Sequence, residues 1–217
     1  MRRSDSDFAQ GLRFGSVSHY FSSDSPSPSQ PREIEVVLRG RPVRVHTDRG
    51  VFSGDRLDPG TAVLLAHVPD PPPSGTFLDL GCGWGPIALS LAAASPRARV
   101  IGVDVNARAL ELTARNAAAL GRAVEVAEPG ALLAAEPDLT LDLLWSNPPI
   151  RVGKEALHAM LRVWLPRLAP DGVAHLVVSK NLGADSLQRW IAAELGQPVT
   201  RTASSKGFRV LSVSATR

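Results

Sequence analysis

The stretch DLGCGWGP, Asp79 to Pro86, decides the fold of this 217-residue chain. The apolar run TFLDL (76–80) leads into it, and the apolar segment PIALSLAAA (86–94) follows, so a strand, a glycine-rich turn and a helix succeed one another. Glycine lets a backbone turn tightly and lie close to a ligand, where a Cβ would obstruct it. The stretch therefore predicts the first strand–turn–helix unit of an α/β sheet, with a ligand site at the turn.

The same alternation continues to the C-terminus. Further strands are predicted at 98–104, 123–127, 141–146 and 172–179, helices at 107–120, 154–168 and 184–195, and a closing antiparallel pair at 198–204 and 208–215. Continuously apolar strands that alternate with helices indicate a parallel sheet covered on both faces. The sequence thus predicts a doubly wound, mostly parallel, seven-stranded Rossmann-like sheet with an antiparallel C-terminal strand.

The N-terminal part has a different pattern. The low-complexity run SSDSPSPSQP (22–31) predicts a partly flexible extension over residues 1–32, and the domain proper is expected at 33–217. Two alternating runs at 33–47 predict a β-hairpin that turns at Gly40-Arg41. Asp58 followed by Pro59 is typical of a helix N-cap and first turn, so a helix is expected up to residue 68.

Composition excludes several classes of protein. A hydrophobic content of 44% and a mean hydropathy of zero are typical of a soluble globular chain, and no apolar run approaches the roughly 18 residues of a membrane span. One cysteine, Cys82, and five histidines without ligand spacing predict neither a disulfide framework nor a metal site. We expect a cytoplasmic protein. A net charge of +3 permits a nucleic-acid partner without requiring one.

The spacing of the turn favours a particular cofactor. A dinucleotide fold has G-x-G-x-x-G, whereas here Gly85 comes one position early and the acidic Asp79 precedes the turn. Asp104, at the end of the second strand, can accept both hydroxyls of a ribose, or it can simply be an acid favoured at a helix N-terminus. A ribose contact beside an acid, with no phosphate-binding group, fits S-adenosylmethionine.

A second motif, SNPPI (146–150), ends the fourth strand, which lies beside the first in a doubly wound sheet. Pro148 and Pro149 stiffen this corner, so Asn147 Oδ1 and the Pro148 carbonyl can accept both hydrogens of a planar exocyclic amine. The same acceptors stabilise positive charge that develops on the nitrogen. We therefore expect Asn147→Asp to retain more activity than Asn147→Ala. The alternative interpretation is an ordinary turn.

DLGCGWG with SNPPI resembles the class I S-adenosylmethionine-dependent methyltransferases that act on planar amino groups. The segments GVFSGDRLDPGTAVLL (50–65), SNPPIRVGKEALH (146–158) and GFRVLS (207–212) resemble, more narrowly, the "small" methyltransferase domain of the ribosomal RNA guanine-N2 family. HYFSSDSP near the N-terminus is similar to its short members. The resemblance implies methyl transfer to the 2-amino group of a guanine in small-subunit ribosomal RNA, free or in the ribosomal subunit.

The resemblance also implies roles for individual residues. Asn147, Pro148 and Pro149 would lie at the amine. The cofactor would contact Asp79, Gly81, Cys82, Gly83, Gly85, Asp104, Val105 and Asn147. The family tends to have Asp or Asn after the third strand, where this chain has AEPGA (127–131), so Glu128 or a backbone group would meet the adenine.

Substrate contacts are predicted around the same corner. Because Ile150 is not aromatic, stacking on the base would come from Phe14, Tyr20, Phe21 or Phe52. Arg151 and Lys154 follow the corner and would hold RNA phosphates, or form a solvated helix start. Lys180 and Arg209 either line the substrate face or make surface ion pairs. A basic patch is predicted at Arg39, Arg41, Arg44, Arg49 and Arg56, either facing RNA or solvated.

Two other functions remain open from sequence alone. One is methylation of a protein glutamine or of adenine, against which stands the aliphatic Ile150. The other is a protein without turnover: an RNA assembly factor that binds the cofactor, or a module that binds NAD.

Overall fold

The computed structural model describes residues 28–149 and 153–216. Several residues named above lie outside this part, namely Phe14, Tyr20, Phe21, Ile150 and Arg151. Their assignments stay predictions.

Within the described residues the chain forms nine strands and six α-helices. The strands are β1 Arg32–Leu38, β2 Arg41–Thr47, β3 Thr76–Leu80, β4 Arg99–Val103, β5 Glu125–Ala127, β6 Leu141–Ser146, β7 Leu168–Ser179, β8 Val199–Ser205 and β9 Phe208–Ser214. The helices are α1 Pro59–His67, α2 Pro86–Ala94, α3 Ala107–Ala119, α4 Pro129–Ala135, α5 Lys154–Trp164 and α6 Ala184–Glu194.

Strands β3 to β9 form one seven-stranded sheet in the order β5-β4-β3-β6-β7-β9-β8. Only β9 in this sheet runs antiparallel to its neighbours, β7 and β8, as predicted. Strands β1 and β2 form a separate antiparallel hairpin. Because the chain moves outward from β3 through β4 and β5 and then returns to β6 on the other side, the carboxyl ends of β3, β4 and β6 meet at the switch point.

Alternation along each central strand divides the core between the two faces of the sheet. On β3, Phe77 packs in a cluster with α1, α2, α3 and the hairpin, whereas Leu78 and Leu80 pack with α5 and α6. Phe77 and Leu78 are fully buried. Burying such a side chain contributes about 1.5–3 kcal/mol, so the covered sheet is a rigid support for the residues at its carboxyl edge.

One helix prediction was wrong in detail, and one helix was missed. The helix predicted over 154–168 ends at Trp164 and continues as a short 3-10 turn, Leu165–Arg167, because Pro166 has no N–H to continue the ladder. Helix α4 was missed. Its signal, Glu128 before Pro129 at the first helical position, resembles that of α1, but Gly130 weakens the pattern.

None of the helices in the described ranges is long and apolar enough to cross a membrane.

Candidate active site

A cleft opens at the carboxyl edge of the sheet, beside the switch point. It is partly open to solvent. Three segments line it: the glycine turn after β3, the loop between β2 and α1 with the start of α1, and the corner after β6. The lining residues are Phe52, Ser53, Asp58, Thr61, Gly81, Cys82, Gly83, Trp84, Pro86, Ile87 and Asn147. The two motifs singled out in the sequence thus face the same space.

The glycine turn is built from left-handed residues. Gly83 has φ +58°, and a Cβ there would meet nothing within 4 Å, so the backbone faces open space at this position. Gly85 has φ +95°, and a Cβ there would lie 3.0 Å from Thr113 Oγ1. Gly83 is therefore required for backbone conformation at the cleft, and Gly85 also for the close approach of α2 to α3.

Asp104, predicted to bind a ribose, supports the turn itself. Its Oδ2 accepts a hydrogen bond from Gly83 N at 3.0 Å, and its Oδ1 accepts one from Asn106 N at 2.9 Å. Each carboxylate oxygen retains a second acceptor position. Asp104 thus bonds the residue that caps α3 and not the helix itself, and its carboxylate can accept further hydrogen bonds, so the ribose role stays a prediction.

Asp79 is fully buried within β3. Its Oδ2 accepts from Ala88 N at 2.9 Å, in the first turn of α2, and its Oδ1 has no partner among the described residues. Burial and, less strongly, the nearby Asp104 carboxylate raise the pKa of Asp79 to about 8. The carboxyl does not line the cleft, so its cofactor role stays a prediction.

Cys82 is a buried part of the turn rather than a reactive thiol. Thr113 Oγ1 lies 3.5 Å from its sulfur and donates to Gly83 O at 2.9 Å. Burial and the two nearby carboxylates raise the pKa of the Cys82 thiol well above its ordinary value. The thiol therefore stays protonated and packs against the turn.

The corner after β6 is anchored to both neighbours. Ser146 Oγ donates to Leu80 O at 2.7 Å, which ties the corner to the end of β3. Asn147 Nδ2 donates to Asp58 Oδ1 at 2.7 Å and to Thr61 Oγ1 at 3.0 Å. Pro148 is buried, and Pro149 is exposed. The amide nitrogen of Asn147 is thus fully used inside the protein.

This contact reverses the expectation for Asn147→Asp. An aspartate at position 147 would place a second carboxylate against Asp58, where the amide nitrogen now lies at 2.7 Å. Like charges at this distance repel each other.

Sequence reasoning found Asp58 only as a helix cap and did not assign a role to Thr61. Asp58 Oδ1 does cap α1, accepting from Gly60 N at 2.8 Å and Thr61 N at 3.0 Å. The pattern LDPGT predicted that cap, but nothing in it indicated a contact with Asn147, which lies 89 residues away.

Phe52 forms the rim of the cleft. Phe52 is 62% exposed and so is not packed in the core, and its stacking role stays a prediction. The loop that carries it is held from below, since Trp84 Nε1 donates to Ser53 O at 3.2 Å and Asn106 Nδ2 donates to Gly50 O at 3.0 Å. The stacking candidate is therefore attached to the glycine turn.

Of the predicted cofactor residues, Gly81, Cys82, Gly83 and Asn147 line the cleft, whereas Asp79, Gly85, Asp104, Val105 and Glu128 do not. Register pairs Val103 with Ala127, so Asp104 and Glu128 both follow directly at the ends of neighbouring strands. Glu128 is exposed and makes no side-chain cap, and Val105 is half-buried. Both stay predictions.

The predicted basic patch is smaller than the sequence suggested. Arg39 pairs with Asp70, donates to Leu65 O and lies over the Trp145 ring, so its role is structural. Arg44 lies 3.7 Å from Glu35. Arg209 pairs with Asp185, in line with the ion-pair interpretation.

Arg41, Arg49, Arg56 and Lys154 are exposed and make no ion pair with any described residue. Arg49 and Arg56 flank Phe52 on the loop that forms the rim.

The cleft suits a cationic nucleoside better than a pyrophosphate. None of the described residues that line it is basic, while the carboxylates of Asp79 and Asp104 support the turn beneath it. The open space beside Gly83 gives room for a ligand close to the backbone. These residues fit S-adenosylmethionine, whose sulfonium and ammonium groups are positive.

The fold and the cleft are those of a Rossmann-like methyltransferase. The sheet has seven strands with a single antiparallel one, no described residue that lines the cleft at the glycine turn is basic, and an Asn-Pro-Pro corner lies beside the turn. The family model described as the methyltransferase small domain matches residues 42–212. The chain belongs to the methyltransferase small domain family. The predicted resemblance to S-adenosylmethionine-dependent methyltransferases with the small methyltransferase domain is confirmed, and S-adenosylmethionine is the cofactor of this class.

Two kinds of protein are similar to the chain in sequence. The chain is 31% identical to the uncharacterized protein YbxB of Bacillus subtilis over 89% of this chain and 96% of that protein. It is 35% identical to ribosomal RNA small subunit methyltransferase C of Pseudomonas putida over 85% of this chain and 55% of that protein. The chain thus spans about half the length of the methyltransferase C relatives.

Among solved structures, a 16S rRNA N2 methyltransferase of Thermus thermophilus, in complex with AdoMet and guanosine, aligns with a TM-score of 0.76 at 24% identity. The alignment covers 87% of this chain and 52% of that chain. TrmN from the same organism aligns with a TM-score of 0.56 at 26% identity, over 72% of this chain and 48% of that one. These likenesses support the methyltransferase fold.

Proposed function

We propose that this chain transfers a methyl group from S-adenosylmethionine to the exocyclic 2-amino group of a guanine in small-subunit ribosomal RNA. The observation that carries the proposal is that Asn147 and the glycine turn line one cleft. A site for a methyl donor and a hydrogen-bond acceptor for an amine therefore lie side by side.

The choice of ribosomal RNA is supported by the relatives. Relatives from Pseudomonas that are 33–35% identical to this chain over 85–87% of it are named ribosomal RNA small subunit methyltransferase C. The choice of the guanine amine is supported by the resemblance of the Asn-Pro-Pro corner and its flanking segments to the guanine-N2 family. The name of the YbxB relative states no activity.

The proposed roles of the chain's own residues follow from their positions. The Asn147 Oδ1 and the Pro148 carbonyl accept the two amine hydrogens and hold the nitrogen in line for attack. These acceptors also stabilise the positive charge on the nitrogen. Phe52 on the rim covers the face of the base. The guanine must be unpaired or flipped out, because its 2-amino group lies in the minor groove of a duplex.

S-adenosylmethionine, when bound, supplies a methyl group activated by the positive sulfur. We assign its ribose to Asp104 and its positive end to the neighbourhood of Asp79. The glycine turn provides the close backbone approach. No strong general base is required, because a methylated, cationic amine loses its proton readily.

The test is transfer of tritium from labelled S-adenosylmethionine to ribosomal RNA from a strain that lacks this gene. The proposal expects label in small-subunit RNA, in N2-methylguanine by mass spectrometry. Naked RNA, isolated subunits and whole ribosomes should be compared as substrates. Label in adenine or in a protein glutamine would overturn the choice of amine, and cofactor binding without transfer to any of these would overturn the enzymatic function.

A further inference from the structure

We propose that Asp58 and Thr61 are positioning residues that fix the orientation of the Asn147 amide, and that this orientation makes the site select an amine over a carbonyl group. The inference rests on the proposed function, in which Asn147 contacts the group that is methylated. It adds two residues and a basis for specificity that the motifs did not indicate.

The orientation follows from the chemistry of the partners. An ionised carboxylate only accepts hydrogen bonds, so the NH₂ end of Asn147 must face Asp58 Oδ1, at 2.7 Å. Thr61 Oγ1 accepts the second hydrogen at 3.0 Å. Both amide hydrogens are therefore bound within the protein. Among the described residues none donates to Asn147 Oδ1, which is left for a ligand.

The two acceptors are themselves held firmly. Asp58 Oδ1 also accepts hydrogen bonds from Gly60 N and Thr61 N at the start of α1. The carboxylate therefore cannot rotate away without removing the N-cap of the helix. Thr61 is only 4% exposed. The start of α1 and the corner after β6 thus form one unit, joined by the Asp58 carboxylate.

The orientation of the Asn147 amide decides whether it can contact a hydrogen-bond donor or a hydrogen-bond acceptor of the substrate. With Oδ1 free, Asn147 can accept a hydrogen from an amine but has nothing to donate to a carbonyl oxygen. A flipped amide would set its oxygen against the Asp58 carboxylate and its NH₂ group against the substrate amine. Both contacts would then be repulsive, so the fixed orientation favours the 2-amino edge of guanine over its 6-carbonyl edge.

The variants that test the inference separate the role of Asp58 as the N-cap of α1 from its contact with Asn147. Asp58→Ser can still cap α1, but its shorter side chain withdraws the acceptor from Asn147, whereas Asp58→Asn keeps an oxygen at the same reach. Thr61→Val removes only the second acceptor at nearly constant volume, and Thr61→Ser restores it. Asp142→Ser is the matched control, because Asp142 Oδ2 accepts from Thr76 N at 2.7 Å at the opposite edge of the sheet.

We expect Asp58→Ser to lower kcat by about 10²-fold, the effect of a small misplacement of reacting groups, with the cofactor Kd and the KM for RNA unchanged. Thr61→Val should lower kcat by a smaller factor. Asp58→Asn and Thr61→Ser should restore most of the rate, and Asp142→Ser should leave kcat at the wild-type value. Wild-type kcat in Asp58→Ser and Thr61→Val would overturn the inference, as would equal losses in the Asp142→Ser control.

A second measurement does not depend on activity. In ¹⁵N-labelled protein the two Asn147 side-chain amide hydrogens should exchange slowly with solvent in the wild type and faster in Asp58→Ser. Exchange at the rate of an exposed asparagine in the wild type would overturn the proposed orientation. If the wild type transfers no methyl group to RNA, the proposed function fails, while this exchange measurement still decides whether the amide is held.

Discussion

At the scale of single residues, two polar side chains of the site each have one atom bonded inside the protein and one atom without a partner among the described residues. Asn147 Nδ2 donates to Asp58 and Thr61, and no described residue donates to its Oδ1. Asp79 Oδ2 accepts from Ala88 N, and its buried Oδ1 has no described partner. In both cases the internal hydrogen bond restricts the side chain, so a ligand that bonded the second atom would cost little further side-chain entropy.

The first prediction concerns Asn147. Asn147→Ala removes an acceptor of the amine, and losing one such transition-state hydrogen bond typically lowers turnover by about 10²–10³. Cofactor affinity should be unchanged. Asn147→Asp should be no better than Asn147→Ala, because its carboxylate would face Asp58. Single-turnover rates of methyl transfer check both variants, and a near wild-type rate for Asn147→Ala would contradict the mechanism.

The second prediction uses the pKa of Asp79, which burial raises to about 8. Without ligand, Asp79 is protonated at neutral pH, whereas the unfolded chain is ionised above its ordinary value of 3.8. The group therefore reduces the free energy of unfolding progressively as pH rises from 3.8 to about 8. A bound cation favours the ionised form. Cofactor binding should then release a proton below pH about 8, and affinity should rise with pH up to that value.

Calorimetry of S-adenosylmethionine binding in buffers of different ionisation enthalpy measures this release. Asp79→Asn should abolish it and make the affinity independent of pH in the same range. A wild-type affinity that does not change below pH 8 would show that Asp79 does not interact with the cationic end of the cofactor.

At the scale of the elements, the glycine turn is held by neighbours from three directions. Asp104 accepts from Gly83 N, Thr113 donates to Gly83 O, and Asn116 Nδ2 donates to Trp84 O. Asn116 also bonds the backbone of His46 in the hairpin, at 2.7 and 2.9 Å. The turn, α3 and the hairpin therefore stabilise one another, and a substitution that destabilises one of them should destabilise the others.

The third prediction concerns Asp104. Asp104→Ala should weaken S-adenosylmethionine binding by about 1.5–3 kcal/mol, the scale of hydrogen bonds to a charged group. Because Asp104 also bonds Gly83 N and Asn106 N, we expect a lower Tm as well. Calorimetry and thermal unfolding measure the two effects. Wild-type cofactor affinity in this variant would show that Asp104 does not hold the ribose.

The fourth prediction compares the stability cost of alanine at Gly85 with that at a control glycine. Gly85→Ala should destabilise the fold by more than about 1 kcal/mol, because alanine is strained at φ +95° and its Cβ would press on Thr113. Gly121→Ala is the matched control, with φ +61° and open space around it, so only the backbone cost applies. Urea unfolding measures the difference, and equal losses in the two variants would show that the Thr113 contact costs nothing.

At the scale of the whole molecule, the parallel part of the sheet was predictable, because apolar strands alternate with helices at regular spacing. The antiparallel strand was predictable because β8 and β9 follow each other without a helix between them. The glycine turn and the Asn-Pro-Pro corner were also predictable, since each follows a strand that ends at the switch point. Asp58 and Thr61 were not recognised as neighbours of Asn147, because contacts across 89 residues follow from packing and not from local pattern. Arg39 was misassigned for the same reason, since its partners lie on α1 and in the loop after it.

The last prediction concerns RNA binding by the whole surface around the cleft. Arg49 and Arg56 are exposed, precede and follow Phe52 on the same loop and make no ion pair with any described residue, so we expect them to contact phosphates if RNA binds at the cleft. Affinity for single-stranded RNA should fall with salt, with a log–log slope of about −0.7 per phosphate contact. Replacing Arg49 and Arg56 with Ala should make that slope shallower by about 1.4 if each holds one phosphate.

Arg97 provides the matched control. It is exposed and lies just before β4, at the amino edge of the sheet and therefore opposite the cleft. Arg97→Ala changes the net charge in the same direction without touching the rim, so its slope should equal that of the wild type, and cofactor affinity should be unchanged in all variants. An equal change of slope per charge in Arg97→Ala would mean that RNA responds to net charge alone. An unchanged slope in the double variant would return Arg49 and Arg56 to an ordinary solvated surface.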